Sequence, residues 1–440
     1  MKFERSSRIL VLISLILILV FSTHISTAQN IKGVVLEEKS NKPLAGVNVY
    51  IKKTGLGTST NENGEFHFKY FSIVSEFDTL NFSSIGYITK KITLSGLKEN
   101  NYVVMLSESI EHLKELTVTA RLKTKFQIDY TRLTPLKDGL YSFGSVLVDD
   151  KIWVIGGDET FVTAGGPNKA SFKWENYSDK LYIYDISTDK WTTSELKFSK
   201  RAYHCIQYYN DKIYALGGKT LSISKNLEYL DDKIEVYDIK HNSILVDNTN
   251  PHQTVNFASF LYEDNLIVIG GSSRIIINGE KECSRKVHLI NLKTGLWYEL
   301  NDMPVAKETK GVLVNSTIYL IGGCNYKTLD NIETYNIATG EWKVIGQLFY
   351  GVVRPAVAYN DNIIYIFEDG RIQTYNIETK KLNLYSIDLP LKSSELFYTN
   401  NKLYILGGLI NDGAIEPSPD LYRIDLSEFK RAVVYDTMTL

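Results

Sequence analysis

Short apolar runs return along most of the chain, each bounded by polar turn residues and five of six ending in a glycine pair. They are Lys151-Ile152-Trp153-Val154-Ile155-Gly156-Gly157, Lys212-Ile213-Tyr214-Ala215-Leu216-Gly217-Gly218, and Asn265-Leu266-Ile267-Val268-Ile269-Gly270-Gly271. Two more are Thr317-Ile318-Tyr319-Leu320-Ile321-Gly322-Gly323 and Lys402-Leu403-Tyr404-Ile405-Leu406-Gly407-Gly408. A sixth, Ile363-Ile364-Tyr365-Ile366-Phe367-Glu368-Asp369, has lost both glycines. A nearly continuous apolar run between turn signals reads as a strand covered on both faces. The glycines permit positive φ and close approach of neighbouring backbone. Such a strand cannot bury itself, so its repetition predicts sheets stacked on one another.

The flanking pattern completes each unit. Asp149-Asp150, Asn210-Asp211, Glu263-Asp264, Asn315-Ser316, Asn360-Asp361 and Asn400-Asn401 precede the runs, and Asn and Asp tolerate the left-handed conformations of tight hairpins. Another strand lies before each turn. A variable loop follows, then a third strand carrying Tyr184-Asp185, Tyr237-Asp238, Ile290-Asn291, Tyr335-Asn336, Tyr375-Asn376 or Ile424-Asp425. Seven positions beyond the first member stands Trp191, Ile244, Trp297, Trp342 or Leu382; in the last copy Phe429 is the nearest candidate. The constant interval sets the register of a hairpin into a fourth strand. Six repeats of four antiparallel strands predict a six-bladed propeller over 129–440. Its last blade is completed either by 130–136 or by 431–435, the first being favoured.

The N-terminal region follows other rules. Lys2, Arg5 and Arg8 precede a thirteen-residue apolar run, 9–21, with small residues Ser26 and Ala28 after it. This describes a signal peptide, 1–28, because a membrane-spanning helix needs about 20 apolar residues. No later segment is apolar enough to cross a membrane. Residues 29–106 alternate as short strands, with Val47, Val49 and Ile51 on one side and Asn48 and Tyr50 on the other. Asn63-Gly64 is a hairpin signal joining 57–60 to 65–68. Further strands are expected at 79–83, 91–94 and 102–106. Many strands and no helix predict a small β-sandwich, and 107–128 reads as a linker. The whole is all-β.

Two resemblances follow from these residues. Ile31-x-Gly33-x-Val35, Pro43-Leu44-x-Gly46-Val47-x-Val49, Gly57-Thr58-x-Thr60-x-x-x-Gly64-x-Phe66 and Ser84-Ile85-Gly86-Tyr87 resemble the carboxypeptidase-regulatory-like domain. The resemblance implies a transthyretin-like sandwich without catalytic residues. Residues 113–120 look like the segment after this domain in TonB-dependent receptors, but no barrel follows, so transport through a barrel is not expected. An exported protein of a Gram-negative-type envelope is: periplasmic, outer-membrane-associated or secreted. The succession Gly-Gly, Tyr-Asp, Trp is similar to the Kelch repeat.

Composition narrows the partners. With 49 basic and 51 acidic side chains and no long run of one sign, nucleic acid is not an expected ligand. Twenty-nine tyrosines suit a β-rich chain. Cys205, Cys283 and Cys324 make no disulfide framework; either one pair and one thiol or three reduced cysteines fit. No metal spacing occurs, and no cofactor is expected.

In a propeller, the loops after the glycine pairs and those between blades share one face. Long loops on a rigid scaffold usually carry binding; here they are 158–179, 219–232, 272–285 and 409–419. The inter-blade loops bring Lys137, Lys200, Arg201, Asn256, Glu308, Lys310 and Arg354, and the adjoining first strands bring Tyr141 and His204. Apart from Glu308, these are the predicted ligand-binding residues, a mildly basic ring suited to a carboxylate, sugar or polar peptide. The plainer role for any inner Arg or His is to bridge blades through neighbouring carbonyls. The Tyr and Trp residues read as blade packing, and the acid or amide after them as a turn cap. The expected function is non-catalytic binding of an envelope protein or glycan by a monomer. Kelch-type propellers include galactose oxidases and sialic-acid mutarotases. The oxidase reading is poor, because its site needs a cysteine-linked tyrosine and histidine ligands, and the sequence shows no such cluster. A mutarotase-like isomerase remains the alternative, with Glu308, Arg201 and Arg354 as its catalytic residues.

Overall fold

The computed structural model describes residues 29–51, 57–70, 75–109, 125–163, 173–174, 176–223, 227–275, 281–411 and 415–440. The predicted signal peptide and most of the predicted linker lie outside the described residues. The chain divides into two units, Met1–Arg121 and Leu122–Leu440.

Among the described residues the first unit holds two sheets. One has the order Glu65–Tyr70, Gln29–Glu37, Val103–Leu106, and the other Gly57–Ser59, Asn48–Ile51, Thr79–Ser83, Lys90–Thr93. Val47, Val49 and Ile51 are fully buried with Val35, Leu80, Phe82 and Val104 in one cluster, so the alternation read from sequence is realised. Two expectations fail. Gly64 turns with φ 71°, and Asn61 Oδ1 accepts the amides of Asn63 and Glu65, but the strands on either side join different sheets. The Asn-Gly turn is therefore a crossover between sheets. A helix, Leu94–Glu99, also interrupts the strands; Thr93 caps it by accepting from Gly96 N, and it buries Leu94 and Leu97. Its six residues are too few for a helical period to show in the sequence.

Among the described residues the second unit contains six antiparallel repeat sheets of four or five strands, together with a four-stranded sheet made by two loop hairpins and two two-stranded loop hairpins. The first runs Gly144–Val148, Lys151–Ile155, Lys180–Asp185, Lys190–Lys197, and the second Cys205–Tyr209, Lys212–Leu216, Ile234–Asp238, Ser243–Asp247. The third runs Ala258–Tyr262, Asn265–Ile269, Val287–Asn291, Trp297–Glu299, and the fourth Glu308–Val314, Thr317–Asn325, Lys327–Asn336, Glu341–Val352. The fifth is Ala356–Asn360, Ile363–Glu368, Arg371–Asn376, Lys381–Ser386, with Asp436–Thr439 added outside. The sixth is Glu395–Thr399, Lys402–Leu406, Leu421–Asp425, with Thr131–Arg132 as its outer strand.

The seven-residue interval is a direct cross-strand pairing. Tyr184 faces Trp191, Tyr237 faces Ile244, Ile290 faces Trp297, Tyr335 faces Trp342 and Tyr375 faces Leu382. The first and fourth of these pairs place ring centroids 5.0 and 4.5 Å apart. Side chains on one face of adjacent strands stabilise the sheet in such pairs. Asp185, Asn291, Asn336 and Asn376 accept amides of their own turns. In the sixth sheet the strand before the first repeat completes the unit, through Tyr422 opposite Arg132 and Arg423 opposite Thr131. Phe429 does not take the tryptophan's place. It lies in the 3-10 helix Leu426–Lys430, with its ring 5.4 and 5.1 Å from those of Tyr365 and Tyr385 in the fifth sheet.

Four of the five glycine pairs join one sheet to the next. The second glycine donates its N–H to the segment entering the following sheet: Gly157 to Arg201 O, Gly218 to Thr254 O and Gly271 to Lys307 O, each 2.9 Å. Gly408 donates to Leu140 O at 3.0 Å, from the sixth sheet to the approach to the first. In the fifth sheet Asp369 takes this part at φ 54° and donates to Leu391 O at 2.8 Å. The glycine loss there keeps the bond and shortens the loop, because Asp369 and Gly370 alone connect the strands. The other long loops contain small hairpins; that of the first sheet pairs with that of the sixth through Val162 and Ile415.

Candidate functional site

The first strands converge on a polar cavity of about 120 Å³. Ser145, Gln207, Ser259, Lys310, Val357 and Glu395 line it, one from each of the six sheets. Lys310 Nζ donates to Glu395 Oε1 at 2.8 Å. Burial works against the Lys310 ammonium, but Glu395 outweighs it and its pKa is raised overall. Gln207 Nε2 donates to Ser259 O at 2.9 Å. Cys205 Sγ donates to Phe257 O at 3.2 Å, and burial pushes its thiol pKa up. His204 is 3% exposed. Its ring nitrogens lack a well-aligned hydrogen-bond partner, although the backbone of Ile155 favours its proton. Burial, then Arg201 and Lys310, hold its pKa well below the usual histidine range, so the ring is neutral.

One edge of this cavity opens at a corner repeated in four sheets. Ser142, Tyr203, Asn256 and Ser393 each stand two positions before a first strand, with φ 50°, 62°, 54° and 54°. The residue before each bridges to the residue after the glycine pair: Tyr141 to Asp158, Ala202 to Lys219, Val255 to Ser272, Lys392 to Leu409. The bridge sets the corner, and the corner presents the four side chains at one mouth with Lys310, Arg354 and Glu395. Arg354 is held there on three sides. Its backbone N donates to Glu368 Oε1 at 2.9 Å, Nη1 donates to Ser142 Oγ at 3.2 Å, and the guanidinium lies 5.7 Å from the Tyr203 ring centroid. Its Nε is buried without a hydrogen-bond partner, and Arg354 forms no ion pair within 4.0 Å among the described residues. Tyr203 OH donates to Asp158 Oδ2 at 2.7 Å; burial, then Asp158, push its phenol pKa far up, so it remains a donor.

From Arg354 and Ser393 a groove of about 340 Å³ continues across the fifth sheet. Arg371 lies 4.5 Å over the Tyr350 ring, and Gln373 ties Phe349 N and Tyr350 O together along the groove. The two-residue turn of the fifth sheet leaves this side of the mouth unwalled.

The predicted residues separate into two sets. His204, Asn256, Lys310 and Arg354 meet at the mouth, and Tyr141 joins through the Tyr203 hydroxyl at 3.4 Å. Arg201 is instead fully buried, with Nη2 2.6 Å from Glu235 and 3.1 Å from Asp231 and Nη1 donating to Ala215 O. Glu308 is 1% exposed and accepts from Ser272 Oγ at 2.6 Å. Lys200 is exposed and reaches Asn176 Oδ1 at 3.5 Å. Lys137 stands in a separate cavity of about 580 Å³ with Asp138, Glu159, Phe161 and Ile415, beside the paired loop hairpins. Lys307, which no sequence pattern singles out, is buried as Arg201 is, 3.0 Å from Glu333. Ser142, Tyr203, Ser393 and Glu395 also stand at the site without having been predicted. Their common signal is position, since each lies on or just before a first strand. Among the described residues no group of three or more His, Cys, Asp or Glu is placed to hold a metal, and no helix is long and apolar enough to cross a membrane.

Repeated glycine-linked sheets around a polar cavity define a Kelch-type β-propeller. The KLHDC2/KLHL20/DRC7 Kelch-repeats domain matches residues 142–367, more than half of the chain, and the chain belongs to the Kelch-repeat family. Residues 31–118 match the CarboxypepD_reg-like domain. Human Kelch-like protein 23 is 23% identical over 240 residues, covering 42% of this chain and 41% of that protein. Alpha-scruin of Limulus polyphemus is 21% identical over 326 residues, covering 69% of this chain and 33% of that protein. The chain thus spans well under half the length of either relative. The solved structure of YjhT is similar in fold, with a TM-score of 0.51 at 14% identity, covering 65% of this chain and 96% of that one.

Proposed function

We propose that this is an exported, non-catalytic binding protein of the cell envelope. A small β-sandwich precedes a closed six-bladed propeller, and the propeller mouth receives a carboxylate carried by a partner protein or glycan. The observation that carries this reading is Arg354, a guanidinium at the mouth with a buried, unsatisfied Nε and no ion pair within 4.0 Å among the described residues. An arginine so placed matches a carboxylate in two hydrogen bonds, and serines, tyrosine and asparagine beside it supply further polar contacts. Ring closure is supported by the Gly408 to Leu140 bond and by a cavity lined from all six first strands. Export is supported by the residue pattern of 1–28 and by the carboxypeptidase-regulatory-like match.

The isomerase alternative is weaker because Arg201 and Glu308 are already engaged in internal bonds. The test joins both readings. The protein is titrated by calorimetry with sialic acid, glucuronic acid and acidic peptides, while sugar anomer exchange is followed by NMR. Saturable binding lost in Arg354→Ala, with exchange at the buffer rate, is expected. Exchange faster than buffer would overturn the non-catalytic assignment. No ligand retained from these probes, a glycan array and envelope extracts would overturn the binding assignment.

A further inference from the structure

Two cross-strand pairs lie side by side where the third and fourth sheets meet. Ser272 is opposite Cys283 in the loop hairpin Ser272–Ile275 and Lys281–Cys283 of the third sheet. Glu308 is opposite Cys324 in the first two strands of the fourth. Ser272 Oγ donates to Glu308 Oε1 at 2.6 Å, which fixes how closely the two pairs approach. Their other members meet as well: Cys283 Sγ lies 3.7 Å from the carbonyl oxygen of Cys324. Both cysteines are half-buried. Cys205 is apart from them, on the second sheet, with its thiol bonded to Phe257 O inside the central cavity.

We propose that Cys283 and Cys324 form an inter-sheet disulfide that clamps the loop hairpin of the third sheet to the fourth. The contact sets the Cys283 sulfur beside the Cys324 backbone, and the link requires the Cys324 side chain to rotate toward it. The oxidant is a disulfide, small-molecule or carrier. One thiolate attacks it to give a mixed disulfide, and the second thiolate displaces the carrier thiol. The protein loses two protons and two electrons, and the oxidant leaves as two thiols. The link closes an interval of 41 residues, restricting the unfolded chain. Cys324 sits on Thr317–Asn325, the strand paired with the one that carries Lys310 to the mouth, so the link steadies that wall. The link is independent of what the mouth binds, and it leaves Cys205 as the odd thiol.

The full-length protein is equilibrated with oxidised and reduced glutathione, quenched in acid, denatured, alkylated and mapped as peptides without reduction. The expected result is a linked peptide pair containing Cys283 and Cys324, with alkylation confined to Cys205. Three alkylated cysteines, a link that includes Cys205, or stable glutathione adducts in place of the link would each overturn the proposal. Cys283→Ser is expected to abolish the link and leave Cys324 alkylated, and Cys205→Ser to leave the link intact. A link that survives Cys283→Ser would count against the proposal.

Discussion

Gly408 and Leu140, far apart in sequence, are joined by a 3.0 Å backbone hydrogen bond from the last sheet to the approach to the first. The same kind of bond links the first sheet to the second, the second to the third and the third to the fourth, so the join between the sixth and first sheets is made by the same chemistry as those. The strand Thr131–Arg132 and the loop pairing of Val162 with Ile415 reinforce it.

Gly218→Val should be among the most damaging single changes. Gly218 has φ +82°, and a Cβ there would stand 2.5 Å from Ala202 O and 2.7 Å from His204 Cβ. Backbone strain and this clash together should cost ~3 kcal/mol or more. A thermal or urea melt unchanged from wild type would show that the close approach is dispensable.

Arg201 and Arg354 should separate stability from binding. Arg201→Ala leaves Glu235 and Asp231 buried beside each other without their cation, a change expected to cost ~3–5 kcal/mol. Arg354→Ala removes a half-buried side chain with a single hydrogen bond, to Ser142, and should leave the melt within about 1 kcal/mol while ligand binding is lost. Urea unfolding of both variants beside calorimetry with the mouth's ligand checks this. Equal destabilisation by the two changes would refute the division.

Stability should decline in acid through the buried imidazoles. Burial, then His288, lower His252 from 6.5 to about 3, and burial places His204 well below 6.5. Above pH 6.5 these rings are neutral in both native and unfolded chains and contribute no slope. Below it the unfolded chain takes up protons that the native chain refuses, so stability falls as pH drops toward 3. Melts from pH 7.5 to 4 should show the fall, and His252→Gln should reduce the slope. An unaltered slope would place the acid sensitivity elsewhere.

Removing 436–440 should weaken the fifth sheet without opening the ring. The strand Asp436–Thr439 pairs with Lys381 to Leu384 on the outer edge, and Met438 and Leu440 pack partly buried against the core of the fourth and fifth sheets. A loss of ~2 kcal/mol or more is expected from the uncovered apolar surface. Hydrogen exchange checks the location. Faster exchange should appear in Lys381–Ser386, not in the sixth sheet.

Where the signal is local and repeated, the order of residues is enough to reveal it. The Tyr to Trp interval becomes a cross-strand pair because strand residues advance in fixed steps, so equal spacing around one turn means equal register. The acid after each tyrosine caps its own turn for the same reason. The crossover at Asn63-Gly64 is not legible in this way, because turn residues specify a local bend, while the sheet that receives the next strand depends on the core beyond it. Phe429 misleads likewise: it is the nearest aromatic after Ile424-Asp425, at a shorter interval than in the other copies, but Tyr365 and Tyr385 of the neighbouring sheet provide the surface on which it packs.

The chain's own residue order determined the repeating strands, their turns and their register, since each rests on neighbours a few residues apart. Only the tertiary structure decided which cations face the mouth. Arg201 and Arg354 both precede first strands, yet Arg201 finds Glu235 and Asp231 across its own sheet and is sealed away, while Arg354 finds Ser142 and Tyr203 at the open edge. The chemistry of an arginine depends on the charges around it, and those are brought by parts of the chain that sequence distance does not reveal.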